Sequence, residues 1–475
     1  MKNDINQAVE KEALFGIVPV LKKGRIYGFL DAFLVLSGYC IATWSYTQGS
    51  YLATLVGFKQ LLIGAFAGAL FMLIIYQLPV ILSVRYGIDI WVWLRTVFGT
   101  SGVKIMTVII IIINFPWYAV CADLFASSMI NLAGLFGLHL PDAVHPILSV
   151  SCVIVGTIIA YKGIGMITWT TRILVPLLLT VGVITVIVAF TSVPFDTIWN
   201  YQPVHDAGTN PDRIIPYLIS IEANFAFVIT LVGGMAEIPR LTKTERGGFW
   251  AGVFGQGLSG SFFVVIGAVM AISMQYVTGN MVEDPTLMLA TLSVPILALF
   301  SLLMVAFANI GTQAVGSYIY GVVLKSSFKK SDYRIIILIL GIYASVFCIQ
   351  GSIIDYFGSF LTISACIYAP LAALLFCDFF IVRRQKISLR SAFSLPGFHA
   401  YHYSNGVNWI GFICVVAGIL ISLSIYNPIT GEVHNRLLFH LTPTGASFLG
   451  SGILYFVCSK IPVVRKYLLQ DQNEV

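Results

Sequence analysis

The chain has 475 residues, of which 58% are hydrophobic and 10% are charged. Soluble globular proteins carry roughly 25% charged residues, so the composition excludes an ordinary soluble domain and predicts an integral membrane protein. The formal net charge of +6 is compatible with a nucleic-acid partner, but the positions of the basic residues, described below, account for it without one.

Apolar segments of membrane-spanning length recur along the whole chain. About 20 helical residues are enough to cross a hydrocarbon core roughly 30 Å thick. We predict twelve transmembrane helices, which cover residues 27–56, 61–83, 104–133, 146–163, 166–191, 216–238, 249–277, 290–323, 334–350, 355–382, 408–426 and 445–461. The polar stretches between them are short, which indicates an all-α membrane protein without a soluble domain.

The basic residues are distributed asymmetrically between the two sides of the predicted bundle. If the N-terminus is cytoplasmic, every Lys and Arg except Lys59, Arg213 and Arg436 lies on the cytoplasmic side. Cytoplasmic loops of membrane proteins carry such an excess of Lys and Arg. We therefore expect a multi-pass protein of the inner or plasma membrane with both termini in the cytoplasm, and no nucleic-acid partner.

The cysteines and histidines predict neither a metal site nor a cofactor. The eight cysteines lie in or beside predicted helices without a CxxC motif, so we expect no disulfides and no zinc. The seven histidines fall in predicted loops and tails, which argues against a histidine proton relay within the membrane.

Two predicted helices, the first and the sixth, contain glycines and small polar residues near mid-membrane. The first reads LSGYCIATWSYTQG at 36–49, and the sixth reads TLVGGMAEIP at 230–239. Glycine within a helix costs about 1 kcal/mol relative to alanine, so we expect both helices to be broken there. Interrupted helices at matching positions of inverted halves are typical of a transporter binding site, although glycines also permit close helix contacts.

This pairing predicts two inverted repeats of five helices followed by two extra helices. We place an N-terminal tail at 1–25, the first repeat at 26–191 and the second repeat at 192–387. The last two helices and the C-terminal tail occupy 388–475.

The third predicted helix carries the run FPWYAVCADLF at 115–125. Trp117 and Cys121 are four residues apart and share a helix face, whereas Asp123 lies about 240° around from Trp117. A tryptophan at mid-depth, away from the interfacial belts, suggests a flat surface for stacking a planar ligand. A core tryptophan whose N–H bonds to a neighbouring helix is the alternative.

Polar residues form one stripe on the eighth predicted helix. Asn309, Thr312, Gln313 and Gly316 follow i, i+3, i+4, i+7 spacing in an otherwise apolar segment. Polar side chains within a membrane face protein or a water-filled cavity, so we expect the stripe to point inward. Gln313 suits the edge of a nucleobase or a ureide, and hydrogen bonding between helices is the alternative.

Acidic residues of two kinds lie within or at the ends of predicted helices. Asp123 and Glu222 are candidates for binding and releasing a proton, because an ionisable group within a span is commonly functional. Glu237 lies beside Arg240, and Asp378 lies close to Arg383 and Arg384. For Glu237 and Asp378 we expect structural ion pairs.

Several stretches resemble the nucleobase:cation symporter-1 family, which includes the purine and cytosine permeases and their allantoin and hydantoin relatives. SVRYGIDIWVWLRTVFGTSG at 83–102 is similar to the family's signature after helix two. PLAALLFCDFFIVRRQKI at 370–387 resembles its helix-ten ending, and YSNGVNWIGF at 403–412 resembles its entry to helix eleven. The resemblance implies the leucine-transporter-type fold, with helices one and six broken and alternating access to a central site.

The resemblance also implies which residues bind. In the family a Trp on helix three stacks on the substrate, which matches Trp117, and an amide on helix eight, best matched by Gln313, reads the substrate edge. The implied substrate-binding residues are Trp117, Cys121, Gln313, Ala42, Thr43, Thr230, Leu231, Gly233 and Ser317. The candidate ion-coupling residues are Gly38, Ile41, Ala308, Thr312, Asp123 and Glu222.

This sequence departs from the family pattern at three of these positions. Leu231 stands where some members have a second aromatic residue, with Phe227 one turn away. Cys121 stands where relatives often have glutamine or glycine. Gly311-Thr312 supplies one hydroxyl where sodium-coupled members have two. The resemblance therefore leaves both the substrate and the coupling ion open.

We therefore expect a secondary active transporter, and not an enzyme, that imports a nucleobase-like molecule by H+ or Na+ symport without a cofactor. Cytosine, a purine, uracil, allantoin and a hydantoin are the substrate classes implied. An amino-acid or amine carrier of the same fold is the alternative. An intramembrane enzyme is disfavoured because the sequence shows neither a nucleophile and base pair nor a metal triad, and a channel would not accumulate substrate.

Overall fold

A computed structural model describes residues 18–41, 43–203, 214–280, 285–290, 295–350 and 357–470. These residues are almost entirely helical, and the β-structure among them consists of isolated bridges such as Tyr27 with Thr242. The predicted all-α class is therefore confirmed.

Twelve membrane helices, labelled α1 to α12, follow one another through the described residues. Their bounds are α1 Phe29–Cys40 with Thr43–Leu55, α2 Phe58–Tyr86, α3 Gly102–Leu135, α4 Val144–Lys162, α5 Ile164–Ser192, α6 Ile214–Gly234, α7 Glu245–Thr278, α8 Pro295–Ser327, α9 Tyr333–Gln350, α10 Phe357–Phe376 continuing through Cys377–Val382, α11 Trp409–Ile425 and α12 Pro443–Lys460.

The helix lengths fit a membrane protein. Eight of the twelve helices are long and apolar enough to cross a bilayer alone. Two more qualify as bent pairs: the halves of α1, and α12 with Pro462–Leu468. The remaining two, α9 and α11, are shorter apolar helices. All twelve predicted helices are present, with ends that differ from the predicted ones by a few residues.

Helix α1 is broken where its glycines and small polar residues lie. Its halves, Phe29–Cys40 and Thr43–Leu55, meet at an angle of 56°. Ile41 has left the helical conformation, with ψ at 60°. The hydroxyl of Ser45 donates to the carbonyl of Cys40 at 2.7 Å, so a side chain satisfies an acceptor that the break releases.

Helix α6 is broken in the same manner. Its α-helical part ends at Ile229, and Thr230–Gly234 forms a tighter 3-10 turn. Two side chains from elsewhere bond to the carbonyls around this change. The hydroxyl of Tyr76 donates to Val228 O at 2.6 Å, and the indole N–H of Trp91 donates to Gly233 O at 3.0 Å. The predicted breaks of helices one and six are both confirmed.

The second half of α1, Thr43–Leu55, packs backbone to backbone against α7. A Cβ atom added at Gly49 would lie 1.8 Å from the carbonyl oxygen of Val264, and one added at Gly267 would lie 2.2 Å from that of Tyr46. The hydroxyl of Ser50 also reaches Gly267 O at 3.4 Å. Glycine is therefore required on both helices for this approach, which positions the broken end of α1.

Loops 87–101, 235–244, 328–332 and 383–408 meet at one end of the bundle, which we call the basic end. The segment that precedes α1 also lies at this end, where the N–H of Tyr27 donates to Leu241 O at 3.0 Å. The predicted ion pair of Asp378 is present, because Arg383 Nε donates to Asp378 Oδ2 at 2.9 Å. Glu237 and Arg240 are also neighbours, since Arg240 Nε donates to the carbonyl of Glu237 at 3.2 Å.

Candidate functional site

A cavity lies between the breaks of α1 and α6. About 360 Å³ of space not filled by atoms lies between its walls, and part of this space is open to solvent. Three helices supply its walls: Tyr39, Cys40 and Trp44 from α1, Asn114 and Trp117 from α3, and Phe227, Thr230 and Leu231 from α6. The cavity is therefore mainly aromatic and apolar, with a few polar groups.

Trp117 is held in place by α10. Its indole N–H donates to the hydroxyl of Ser364 at 3.4 Å, and the ring of Phe360 packs against it with centroids 4.9 Å apart. Pro116 precedes Trp117 at the point where the two helical segments of α3, Gly102–Asn114 and Trp117–Leu135, join. Trp117 thus forms one fixed wall of the cavity, as its position in the sequence predicts.

Trp44 forms a second wall that sequence reasoning missed. It follows the break of α1 and meets Trp117 edge to face, with centroids 5.8 Å apart and planes at 90°. The rings of Tyr39 and Tyr118 support it at 6.0 and 6.4 Å. Two perpendicular indoles with fixed neighbours offer a planar ligand both a face and an edge.

The polar groups of the cavity come from Asn114 and Thr230. The amide nitrogen of Asn114 donates to the hydroxyl of Tyr320, while its Oδ1 is buried without a hydrogen-bond partner among the described residues. Thr230 donates to the carbonyl of Phe227 at 2.8 Å. Asn114 Oδ1 is thus an acceptor available to an N–H group of a ligand.

The polar stripe of α8 is buried and faces the protein, as predicted. The hydroxyl of Thr312 donates to the carbonyl of Gly38 at 3.3 Å, so α8 contacts α1 just before its break. Asn309 donates to Val305 O at 3.1 Å within its own helix. The Thr312 hydroxyl and the Gly38 carbonyl are oxygen atoms of the kind that bind Na+, and Ile41 and Ala308 lie on the same two helices.

Several predicted site residues do not line the cavity. The side chain of Gln313 lies against α4, where a Cβ added at Gly156 would be 2.4 Å from its Cγ. Cys121 is fully buried and lies near Cys152 and Cys348, on α4 and α9. Ser317 is buried, and its hydroxyl has no hydrogen-bond partner among the described residues.

The remaining substrate-binding predictions fall at the two breaks. Gly233 lies two residues after the cavity-lining Leu231 and is packed against Tyr368, whose hydroxyl would be 2.8 Å from an added Cβ. Thr43 begins the second half of α1, and Ala42 lies outside the described residues.

The two candidate coupling acids each contact a partner away from the cavity. Asp123 Oδ1 lies 3.4 Å from His145 Nδ1, and, as predicted, it points away from the wall formed by Trp117. The expectation that all histidines lie in loops or tails is wrong for His145, which belongs to the first turn of α4. Glu222 accepts hydrogen bonds from the N–H and hydroxyl of Thr444 at 3.0 and 2.6 Å.

Comparisons with known proteins agree with this geometry. A family model described as a permease for cytosine/purines, uracil, thiamine and allantoin matches residues 19–446. The purine-uracil permease NCS1 of Arabidopsis thaliana is 19% identical over 366 residues, 73% of this chain and 61% of that permease. Nicotinamide riboside transporter 1 of Saccharomyces cerevisiae is 29% identical over 115 residues, 24% of this chain and 18% of that transporter. The matches thus span less than two thirds of either relative.

Among solved structures, the chain is similar to Mhp1, a nucleobase-cation-symport-1 family transporter, in a closed conformation with bromovinylhydantoin bound. The TM-score is 0.77 at 19% identity, and the match covers 96% of each chain. This likeness shows the fold: two inverted five-helix repeats with broken first and sixth helices, and two further helices.

Proposed function

This chain belongs to the family of permeases for cytosine/purines, uracil, thiamine and allantoin, and on that premise we propose that it imports a nucleobase or a related planar heterocycle or ureide by cation symport. The observation that carries the proposal is the pair of perpendicular indoles, Trp44 and Trp117, in a cavity between two broken helices. Aromatic faces bind planar rings through stacking. The proposal needs no cofactor besides a coupling ion.

Trp44 supplies a second aromatic ring to the proposed substrate site, because Leu231 stands where some family members have an aromatic residue. Leu231 lines the cavity from α6 without an aromatic ring. Trp44 presents its ring from α1 instead, at right angles to Trp117. A substrate stacked on Trp117 would then meet Trp44 at its edge, with Asn114 Oδ1 placed to accept a hydrogen bond from a ring or ureide N–H.

The coupling ion is H+ or Na+, and different groups support each. For Na+, Thr312 Oγ1 and Gly38 O bring two oxygen atoms together between α8 and α1. For H+, the buried carboxyl groups of Asp123 and Glu222 are candidates, with His145 in contact with Asp123. Thr312 lies nearer to the helix breaks, whereas both acids bond to groups away from the cavity.

We further propose that the basic end faces the cytoplasm of the cell, in an inner or plasma membrane. Almost all Lys and Arg among the described residues lie at this side, as the positive-inside rule predicts for a cytoplasmic side. The repeats 26–191 and 192–387 would then rock against each other to open the cavity alternately to each side.

The test is uptake by the purified full-length protein in proteoliposomes. The panel contains radiolabelled cytosine, uracil, purines, allantoin and hydantoins, with amino acids and amines as comparison substrates. An imposed Na+ gradient and an imposed pH gradient are applied separately. We expect saturable accumulation of at least one heterocycle driven by one gradient. Accumulation of an amino acid or amine, with none of any heterocycle, would show the proposal to be wrong.

A further inference from the structure

A second cavity lies at the basic end and shares no lining residue with the first. About 820 Å³ of space not filled by atoms, part of it open to solvent, lies there where α3 begins and α8 ends. Four of its lining residues are basic, and hydroxyl groups stand between them. The residues that matter here are Arg95, Lys104, Lys329, Lys330, Thr100 and Ser394.

Of the cations at this cavity, Arg95 is buried and Lys329 is partly buried, and both donate hydrogen bonds to neutral groups. Arg95 is 4% exposed, and its guanidinium donates to Ala392 O at 2.5 Å and to Ser326 O at 2.8 Å. Lys329 is partly buried, and its Nζ donates to Phe393 O at 3.2 Å. Carbonyl oxygens satisfy the N–H groups of these side chains but do not neutralise their charge.

Negative charge near the cavity is too small to balance these cations. None of the described residues that line it is acidic. Asp89 lies near Arg95 and Lys329, while Asp332 Oδ1 accepts the N–H of Arg334 at 2.7 Å, at the start of α9. Burial lowers the pKa of Lys329 to about 8, and the nearby charges of Arg95 and Lys104 add to this. A bound anion would relieve the repulsion.

The cavity continues into a surface of the kind that faces lipid. From Lys104, the apolar side chains of Ile105, Val108 and Ile112 run along α3 and are 48%, 42% and 55% exposed. The hydroxyl of Tyr343 donates to Ile112 O at 3.0 Å, so α9 lies alongside. On α9, Ile339 is one turn before Tyr343 and is 58% exposed. Acyl chains could lie along this surface below the cavity.

We propose that the cavity at the basic end binds the phosphate of an anionic phospholipid, with the lysine and hydroxyl groups as donors. Phosphate oxygens would accept charge-assisted hydrogen bonds from Lys104, Lys329 and Lys330 and bonds from Thr100 and Ser394. Basic pockets between membrane helices on the cytoplasmic side bind lipid headgroups of this kind. The apolar surface beside it favours a lipid over a soluble phosphate.

An excess of lysines at a cytoplasmic helix end also arises from the positive-inside rule alone. That rule requires only solvated charges at the membrane surface. It does not account for buried Arg95 and partly buried Lys329 around one cavity, so the burial of these two cations distinguishes the two explanations.

The test uses the purified full-length protein in detergent and native mass spectrometry with phosphatidylglycerol, phosphatidylcholine or inorganic phosphate. The variants are Lys104→Gln, Lys329→Gln, Lys330→Gln and their combination. Lys243→Gln is the control, because Lys243 is an exposed lysine in another loop of the same end. A single cooperative thermal transition in each variant shows that it is folded.

We expect phosphatidylglycerol to bind more tightly than phosphatidylcholine and each lysine variant to bind it about fivefold more weakly. Lys243→Gln should bind as the wild type does. The proposal is wrong if the combined variant retains wild-type affinity, or if the two lipids bind equally. Binding of inorganic phosphate with the same lysine dependence, without a preference for phosphatidylglycerol, would identify a soluble phosphate site and overturn the lipid assignment.

Discussion

The rings of Trp44 and Trp117 meet at 90° with their centroids 5.8 Å apart, although 72 residues separate them in the chain. One ring follows the break of α1, and the other follows the junction within α3. Because both line the same cavity, the shape of the candidate substrate site depends on the break of α1.

Replacement of Trp117 by alanine is expected to weaken substrate binding. Stacking of a base on an aromatic side chain is worth about 1 to 3 kcal/mol, so the Kd of the substrate found in the uptake panel should rise roughly 5- to 150-fold. Trp44→Ala should have a similar effect, and Trp44→Phe a smaller one. Equilibrium binding of radiolabelled substrate to purified protein measures the change.

Trp169→Ala provides the control, since Trp169 lies on α5 with 60% of its surface exposed. Its removal should leave the Kd unchanged. Wild-type affinity in Trp117→Ala would rule out stacking on that ring.

Thr312 is expected to affect Na+ dependence if Na+ is the coupling ion. Thr312→Val removes the hydroxyl that contacts Gly38 O and should raise the Na+ concentration for half-maximal uptake, whereas Thr312→Ser should preserve it. The measurement is initial uptake at a series of Na+ concentrations. Uptake that follows the pH gradient and ignores Na+ would instead direct attention to Asp123 and His145, with Asp123→Asn as the variant to test.

Glu222→Gln is expected to lower the melting temperature. The Glu222 carboxylate accepts two hydrogen bonds, one from the backbone N–H of Thr444 and one from the hydroxyl of Thr444. In a glutamine an NH2 group replaces one carboxylate oxygen, so one bond to a charged acceptor is replaced by a weaker one in which the Thr444 hydroxyl accepts, at a cost of about 1 kcal/mol. Thermal unfolding in detergent measures the effect, and Thr444→Ser is the control that retains both donors. An unchanged melting temperature would mean that this contact does not stabilise the fold.

Gly267→Ala is expected to destabilise the protein more than Gly134→Ala does. A Cβ at Gly267 would collide with the backbone of Tyr46 at 2.2 to 2.7 Å, whereas nothing lies within 4 Å of one at Gly134. Overpacking of this kind typically costs about 1 to 3 kcal/mol. Melting temperatures of the two variants give the comparison. Equal values would contradict the close approach of α1 and α7.

The titration of Lys329 predicts a pH dependence of stability. Burial lowers its pKa from the ordinary 10.5 to about 8 in the folded protein, so the unfolded chain binds more protons between these values. Stability should therefore rise with pH from about 8 to 10.5 relative to Lys329→Gln. Thermal unfolding of both proteins across this range in lipid-free detergent checks it, and parallel curves would contradict it.

Hydropathy and glycine content were enough to predict the membrane helices and the two breaks, because each depends on local composition. Of the two indole rings that line the cavity, the sequence predicts Trp117 but not Trp44. Trp117 lies on a regular helical segment, so its face could be worked out from Cys121 and Asp123. Trp44 lies after the break of α1. Because the break changes the rotation of the helix, the direction of the Trp44 side chain cannot be calculated from the position of Gly38.

The direction of the Gln313 side chain could not be predicted from the sequence either. Thr312 and Gln313 are consecutive residues, and their side chains differ in direction by about 100° around α8. A polar stripe that includes both residues therefore contacts more than one neighbouring helix. In the structure Thr312 faces α1, and Gln313 packs against Gly156 on α4. Hydropathy predicts that the fourth helix begins one residue after His145 and therefore assigns His145 to a loop, whereas the helix begins at Val144.

The bond from the Trp91 indole to Gly233 O joins the short helix Ile90–Trp93 at the basic end to the unwound part of α6. Leu231, two residues earlier, lines the substrate cavity. Any rearrangement of this stretch must therefore either break a buried hydrogen bond, at about 1 to 3 kcal/mol, or carry the loop with it. Trp91 thus ties the position of the Ile90–Trp93 helix to that of the α6 segment that lines the cavity.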